Sequence, residues 1–171
     1  MPITDADIAH TAAGTPGGDW LRRYWFAVGT TKELYDIPQA LRVLSEDLVL
    51  FRDGSGTLGL IGRYCPHRGA SLEYGDVEET GIRCPYHGWL YDASGTCLEQ
   101  PSEPKGMEFC DRVEHVSYPV HEQGGLIFAY MGPDPENPPP FLNYAALVDH
   151  GGQRLVEDTR HFDYSWVNFY E

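Results

Sequence analysis

Two short stretches of this chain each place a thiol beside an imidazole. They are Cys65-Pro66-His67 and Cys84-Pro85-Tyr86-His87, which together read C-x-H-x16-C-x2-H. A structural zinc ion usually draws adjacent ligands from a C-x2–4-C knuckle. Here each stretch supplies one ligand of each type. That division suits two metal ions side by side, with each loop sending its Cys to one and its His to the other. It is the donor set of an iron–sulfur centre in which two imidazoles replace two thiolates. Neutral imidazoles make such a centre less negative, so an added electron is better tolerated and should settle on the His-ligated iron. Potentials then fall within roughly −150 to +300 mV. Cys65, His67, Cys84 and His87 are thus candidate ligands of a [2Fe-2S] cluster, and a structural zinc site is the competing reading of the same four residues. No residue of the chain is assigned a catalytic role.

The neighbouring residues fit a tight metal loop. Pro66 and Pro85 stiffen the two stretches. Gly69 and Gly88 allow positive φ and a close approach of backbone N–H groups to the sulfurs. Trp89, Tyr86 and Tyr91 are expected to shield the centre from water. Arg63, Arg68 and Arg83 make these loops locally basic. They would either dock an acidic electron donor or pair internally with Glu73, Asp76, Glu78 or Glu79. Cys97 and Cys110 could form a disulfide or add ligands, but with four ligands already in place they read as small buried apolar residues. His10, His115, His121, His150 and His161 have no second ligand at metal spacing and read as ordinary surface or core histidines.

The elements that must position these loops are mostly strands. With 19 Gly, 13 Pro and 11 Tyr in 171 residues, the chain leans toward short strands joined by many turns. Strands are expected at Tyr24–Gly29, Leu41–Leu44, Asp47–Arg52, Leu58–Arg63, Ile82–Cys84, Trp89–Tyr91, Val113–Val120 and Leu126–Met131. Turns are expected at Asp53–Gly56, Asp92–Gly95 and Glu122–Gly125. Thr30 and Glu33 have capping-box spacing, but the apolar run beyond them is too short for more than a turn or two of helix. The expected fold class is mostly β, an antiparallel sandwich or barrel base carrying a small cluster-binding subdomain.

Residues 1–19 read as a loose leader and 20–132 as the metal-binding domain. Residues 133–140 hold five prolines in eight positions and read as a stiff linker. Residues 141–171 are too short for a domain, although Gln153–Val167 has strand character. A net charge of −14 disfavours nucleic acid and anionic lipid as partners. No apolar run reaches the ~18 residues of a membrane helix. The N-terminus lacks the basic region of a secretory signal. Cysteines spaced as ligands rather than staples suggest a reducing, cytoplasmic setting.

The stretches CPHRGASL (Cys65–Leu72) and CPYHGWLYD (Cys84–Asp92), with RRYWFAVG, EDLVLFRD and GGLIFAYMGP, resemble the Rieske domain of aromatic-ring-hydroxylating oxygenases, the phthalate-dioxygenase-like group in particular. The resemblance spans about residues 20–135. It implies that Cys65 and Cys84 bind one iron while His67 and His87 bind the other through Nδ1. It also implies an electron donor of the NAD(P)H-dependent flavin or ferredoxin-type reductase class, and a homotrimeric parent that hydroxylates or O-demethylates aromatic compounds with O₂. Rieske proteins of cytochrome complexes carry an extra Cys in each loop and a Ser after the second His-Gly. Gly69-Ala70 and Gly88-Trp89 offer neither, which implies a potential toward the low end. In the oxygenases a second domain holds a mononuclear Fe(II) by two His and one carboxylate. Ser165–Glu171 (SWVNFYE) partly matches the pattern that opens that domain. The chain therefore reads as a Rieske domain followed by the start of a catalytic domain, able to transfer electrons but lacking the mononuclear iron ligands. A stand-alone Rieske ferredoxin is the alternative.

Overall fold

A computed structural model describes residues 4–34, 37–148, 151 and 166–167. Two short helices come first, α1 (Asp5–Ala9) and α2 (Pro16–Leu21). Ten strands follow: β1 (Trp25–Thr30), β2 (Gln39–Val43), β3 (Glu46–Arg52), β4 (Leu58–Gly62), β5 (Asp76–Glu78), β6 (Gly81–Arg83), β7 (Leu90–Tyr91), β8 (Cys97–Glu99), β9 (Val120–Gln123) and β10 (Leu126–Tyr130). They form three antiparallel sheets, ordered β1-β10-β9, β2-β3-β4 and β5-β6-β7-β8. The mostly β, antiparallel expectation holds.

β3 is the hinge of the design. Its residues Leu48, Val49, Leu50 and Phe51 are all essentially inaccessible to water. Successive side chains of a strand point to opposite faces. Leu48 and Leu50 therefore enter one core with Val28, Leu60, Ile127 and Ala129. Val49 and Phe51 enter another with Ile61, Leu72, Ile82, Trp89 and Tyr91, and this second core also contains Cys65 and Cys84. One strand thus joins the base to the metal-loop region, which is why its sequence is a continuous apolar run rather than an alternating one.

The β3–β4 hairpin closes at Asp53–Gly56 as expected, with the Asp53 carboxylate accepting from the Thr57 N–H at 2.8 Å and from the Ser55 hydroxyl at 2.6 Å. Asp92 repeats the device between β7 and β8, accepting from the N–H groups of Ser94 and Thr96. The Thr30 hydroxyl donates to the Glu33 carboxylate at 2.9 Å and accepts from the Glu33 N–H at 3.1 Å, but the pair closes a turn rather than opening a helix.

Three segments differ from expectation. Within the leader, residues 5–9 and 16–21 are helical. Thr15 caps α2 by accepting from the Gly18 N–H, with Pro16 in the first helical turn. Arg22, at the end of α2, pairs with Glu46 at 2.8 Å and donates to the Leu44 carbonyl at 2.8 Å. It thereby braces the β2–β3 turn, where Leu44 and Ser45 have positive φ (46° and 68°).

The stretch Val113–Val120 is not a strand except at its end. It runs beside β4 with an isolated bridge between Ile61 and Ser117 and backbone bonds from Gly62 N to Val116 O and from Tyr118 N to Leu60 O. Pro119 has no N–H to extend that ladder. β5 and β8, at three residues each, were not expected.

Residues 133–140 contain neither helix nor strand. Their end is tied down by Trp25, whose indole N–H donates to the Pro139 carbonyl at 2.9 Å, and by Phe141, which packs edge-on to Trp25 and Phe128. Of Gln153–Val167 and Ser165–Glu171, only Trp166 and Val167 lie within the described residues.

Candidate metal centre

The two metal loops are built on one plan. Cys65 leads to Gly69 and Cys84 to Gly88, each glycine four residues on. In each loop the glycine N–H returns to the cysteine carbonyl, at 2.8 and 3.1 Å. In each, the cysteine N–H donates to the carbonyl five residues on, Ala70 at 2.9 Å and Trp89 at 2.8 Å. Both closures need left-handed backbone at the glycine, and Gly69 and Gly88 have φ of 70° and 74°. The first loop spans β4 to the short 3₁₀ turn Leu72–Tyr74, and the second spans β6 to β7. The loops differ in where the imidazole falls, two residues after Cys65 and three after Cys84.

This plan brings the expected ligands into two pairs, one of thiols and one of imidazoles. Cys65 and Cys84 are each 3% exposed and belong to the same core. Burial pushes the Cys84 thiol above its ordinary range, and Cys65 adds to the effect. Backbone hydrogen bonds at Tyr86 and His87 act the other way. The rings of His67 and His87 lie 4.6 Å apart on the more exposed side. The Nδ1 atom of His67 is buried and meets no hydrogen-bond partner in the protein. A buried ring nitrogen without a partner is costly unless something else binds it. One pair of buried sulfurs and one pair of imidazoles, with a buried ring nitrogen left without a partner, fits a two-iron cluster with two protein ligands on each iron.

The surrounding side chains sort differently from their sequence expectation. Trp89, 2% exposed, is the shield: it stacks on His67 at 4.5 Å with planes 6° apart. Tyr86 is not buried over the centre. It is 62% exposed, lying against His87 at the surface. Tyr91 is fully buried, and its hydroxyl sits 3.2 Å from the Cys65 sulfur. Burial and then the Cys65 contact hold the Tyr91 phenol above its ordinary range.

Two of the three arginines are used internally. Arg63 pairs with Glu73, which raises the guanidinium pKa. Arg83 pairs with Glu78, and with Glu99 at 2.7 Å, and donates to the Gly88 carbonyl inside the second loop. Arg83 is raised in turn, chiefly by Glu78. Arg68 is exposed and makes no ion pair among the described residues.

Three residues matter more here than the sequence suggests. His115 is largely buried. Its ring packs 5.0 Å from Tyr91, its Nε2 has no partner, and burial pushes it down to about 4. No ligand spacing marks it. Cys97 and Cys110, expected as apolar fillers in preference to a disulfide or further ligands, lie with their sulfurs 3.3 Å apart. Their separation in sequence hides this.

Comparison with known proteins agrees with this geometry. Residues 24–120 match the family model described as the Rieske [2Fe-2S] domain. The chain is 46% identical over 168 residues to the oxygenase subunit of tert-butanol monooxygenase / tert-amyl alcohol desaturase from Aquincola tertiaricarbonis, covering 98% of this chain and 36% of that protein. It is 52% identical over 153 residues to phenoxybenzoate dioxygenase subunit alpha from Ectopseudomonas oleovorans, covering 90% and 37%. The crystal structure of apo dicamba monooxygenase superimposes with a TM-score of 0.67 at 30% identity, covering 75% of this chain and 40% of that one. The chain thus spans little more than a third of the curated relatives it matches. No helix among the described residues is long and apolar enough to cross a membrane. The loop pair, the paired sulfurs and imidazoles and the family match lead to one assignment: the chain belongs to the Rieske [2Fe-2S] domain family.

Proposed function

We propose that Cys65 and Cys84 hold one iron and His67 and His87 the other iron of a [2Fe-2S] cluster. Through it the chain passes single electrons as the Rieske part of an O₂-dependent oxygenase. The observation that carries this reading is the buried, unpartnered Nδ1 of His67 beside the His87 ring, in loops whose two cysteines are also buried. When bound, the cluster supplies a one-electron couple whose potential is raised by its imidazole ligands.

The chain's own residues do the rest. Core packing keeps water from the Cys65 and Cys84 sulfurs. The Tyr91 hydroxyl and the backbone near Cys84 offer hydrogen bonds to those sulfurs. Trp89 fixes the ring plane of His67. The imidazole side is the more exposed, so exchange with other redox centres is expected over the histidine edges.

In the larger protein, residues 20–132 would be the electron-transfer domain, 133–140 the connector and 141–171 the beginning of a catalytic domain with a mononuclear Fe(II). The named reactions of the relatives include oxidation of an aliphatic alcohol and dioxygenation of an aryl ether acid. Oxygenation with O₂ is what they share, and hydroxylation or O-demethylation of an aromatic compound is the form favoured for this chain. A flavin or ferredoxin-type reductase would deliver the electrons, in the cytoplasm, to a homotrimer of the larger protein. Light scattering on that protein tests the trimer.

The central test is EPR of the dithionite-reduced chain, with iron and sulfide counted on the same sample. Two irons and two sulfides per chain are expected. The signal should be rhombic, with an average g below that of an all-cysteine cluster. A colourless, correctly folded protein that contains zinc and no sulfide would overturn the assignment.

A further inference from the structure

The search for chemistry outside the cluster loops leads to the second pair of cysteines. Cys97 lies in β8 and Cys110 opens the 3₁₀ turn Cys110–Arg112. Both are free thiols with their sulfurs 3.3 Å apart. A disulfide needs about 2.05 Å, so a sulfur displacement of roughly 1.3 Å would close the bond. Cys97 is 4% exposed, whereas Cys110 is only half-buried. Cys110 is thus the more accessible residue of the pair.

The segment between the two thiols forms the wall behind the second metal loop. Pro101 sits against Gly88, where a Cβ would come within 3.0 Å of its ring. Ser102 takes the indole N–H of Trp89 at 3.3 Å. Phe109 packs edge-on to Trp89 at 5.5 Å, and its N–H is held by the buried Gln100 side chain at 2.6 Å. Trp89 in turn stacks on His67. A bond between Cys97 and Cys110 would close this wall into a loop fixed at both ends.

We propose that Cys97 and Cys110 form a redox-active dithiol site which low-molecular-weight disulfides oxidise to an intramolecular disulfide, fastening the 97–110 segment against Trp89. The Cys110 thiolate attacks one sulfur of the external disulfide. A mixed disulfide forms and the first small thiol leaves. The Cys97 sulfur then gives up its proton and attacks the Cys110 sulfur, expelling the second small thiol. Two protein thiols are oxidised by two electrons, and one external disulfide is reduced to two thiols that carry the two protons. Burial pushes the Cys97 thiol up to about 12, so the second step is the slower one.

The test uses the full chain with its cluster, incubated anaerobically with oxidised glutathione, then alkylated under denaturing conditions and mapped by peptide mass. The native chain should yield a Cys97–Cys110 cross-linked peptide, after a transient in which Cys110 carries glutathione. C97S should stop with glutathione on Cys110, and C110S should leave Cys97 reduced. Cluster absorbance should be lost severalfold more slowly on warming in the cross-linked chain than in the reduced native chain. The proposal is overturned if both cysteines of the native chain remain alkylatable, or if Cys110 stops at the mixed disulfide. It is overturned equally if cross-linking leaves the rate of cluster loss unchanged. The peptide map needs no variant to fold, and it reads the cross-link whether or not the ligand assignment of the cluster is correct.

Discussion

Replacing Tyr91 by Phe removes one oxygen from the cluster environment and little else. Tyr91 is fully buried, and the Cys65 sulfur it faces at 3.2 Å is nearly so. Water therefore cannot take the place of the lost hydroxyl. A cysteine bound to iron carries no proton, so in the loaded protein the phenol must be the donor. Donation to the sulfur matters more in the reduced, more negative state, so losing it should lower the potential. A hydrogen bond to a charged group contributes about 1.5–3 kcal/mol, and the two oxidation states share most of that. A difference of about 1 kcal/mol corresponds to roughly 40 mV for one electron, given 59 mV per tenfold change. Spectroelectrochemical titration of the two proteins at equal cluster content measures this directly. A drop of about that size is expected for Y91F. A change below about 10 mV, or a rise, would show that the phenol does not donate to the sulfur and would refute the reasoning.

Further predictions concern stability and encounter. Burial lowers His115 from its ordinary 6.5 to about 4. The unfolded chain therefore binds a proton in that interval and the folded chain does not. The stability this contributes is present above pH 6.5 and declines as pH falls toward 4, by about 3 kcal/mol in all. Denaturant titrations between pH 7 and 4.5 should find this decline missing in His115→Gln, and parallel losses in both proteins would refute it. Ser45 has a φ of 68° in a two-residue turn that favours glycine. S45G should raise stability by about 0.5–1 kcal/mol in urea, and a loss would mean that the Thr11 contact to the Ser45 hydroxyl outweighs the backbone strain. Arg68→Glu should leave iron content intact and slow reduction by an acidic donor at low salt, with the difference shrinking as salt rises. Equal rates at all salt concentrations would exclude Arg68 from the docking face.

The metal loops were legible in the sequence because their chemistry is local. Cys65 and His67 are two residues apart, Cys84 and His87 three, and Gly69 and Gly88 sit where each loop must turn left-handed. The long strands were legible for the same reason: β3 holds the apolar run Leu48–Phe51 and β10 is apolar throughout. β5 and β8 were not, because three residues carry no period. Val113–Val120 looks like a strand by composition, but Pro119 and a single bridge to Ile61 leave it mostly unpaired. The α2 helix did leave a signal, Thr15 followed by Pro16. Glycine is a poor helix former, and Gly17 and Gly18 are used here because they pack against the carbonyls of Ile8 and Ala12. The Cys97–Cys110 contact and the burial of His115 arise between distant segments, and no local pattern announces them.

The double-sided burial of β3 constrains how this sequence can drift. A slip of one residue turns every side chain of a strand to the opposite face, so register is strongly specified wherever a face is buried. Here both faces are filled, so a slip of one residue would send Leu48 and Leu50 into the space shaped for Val49 and Phe51. It would mismatch both cores at once. Insertions and deletions should therefore accumulate at the Asp53–Gly56 tip and be purged from 46–52. Compensating substitutions should couple positions of equal parity along β3, one set answering to the base and the other to the metal loops. A library randomised across 48–51 would sort into two independent groups, one recovered by folding and the other by colour.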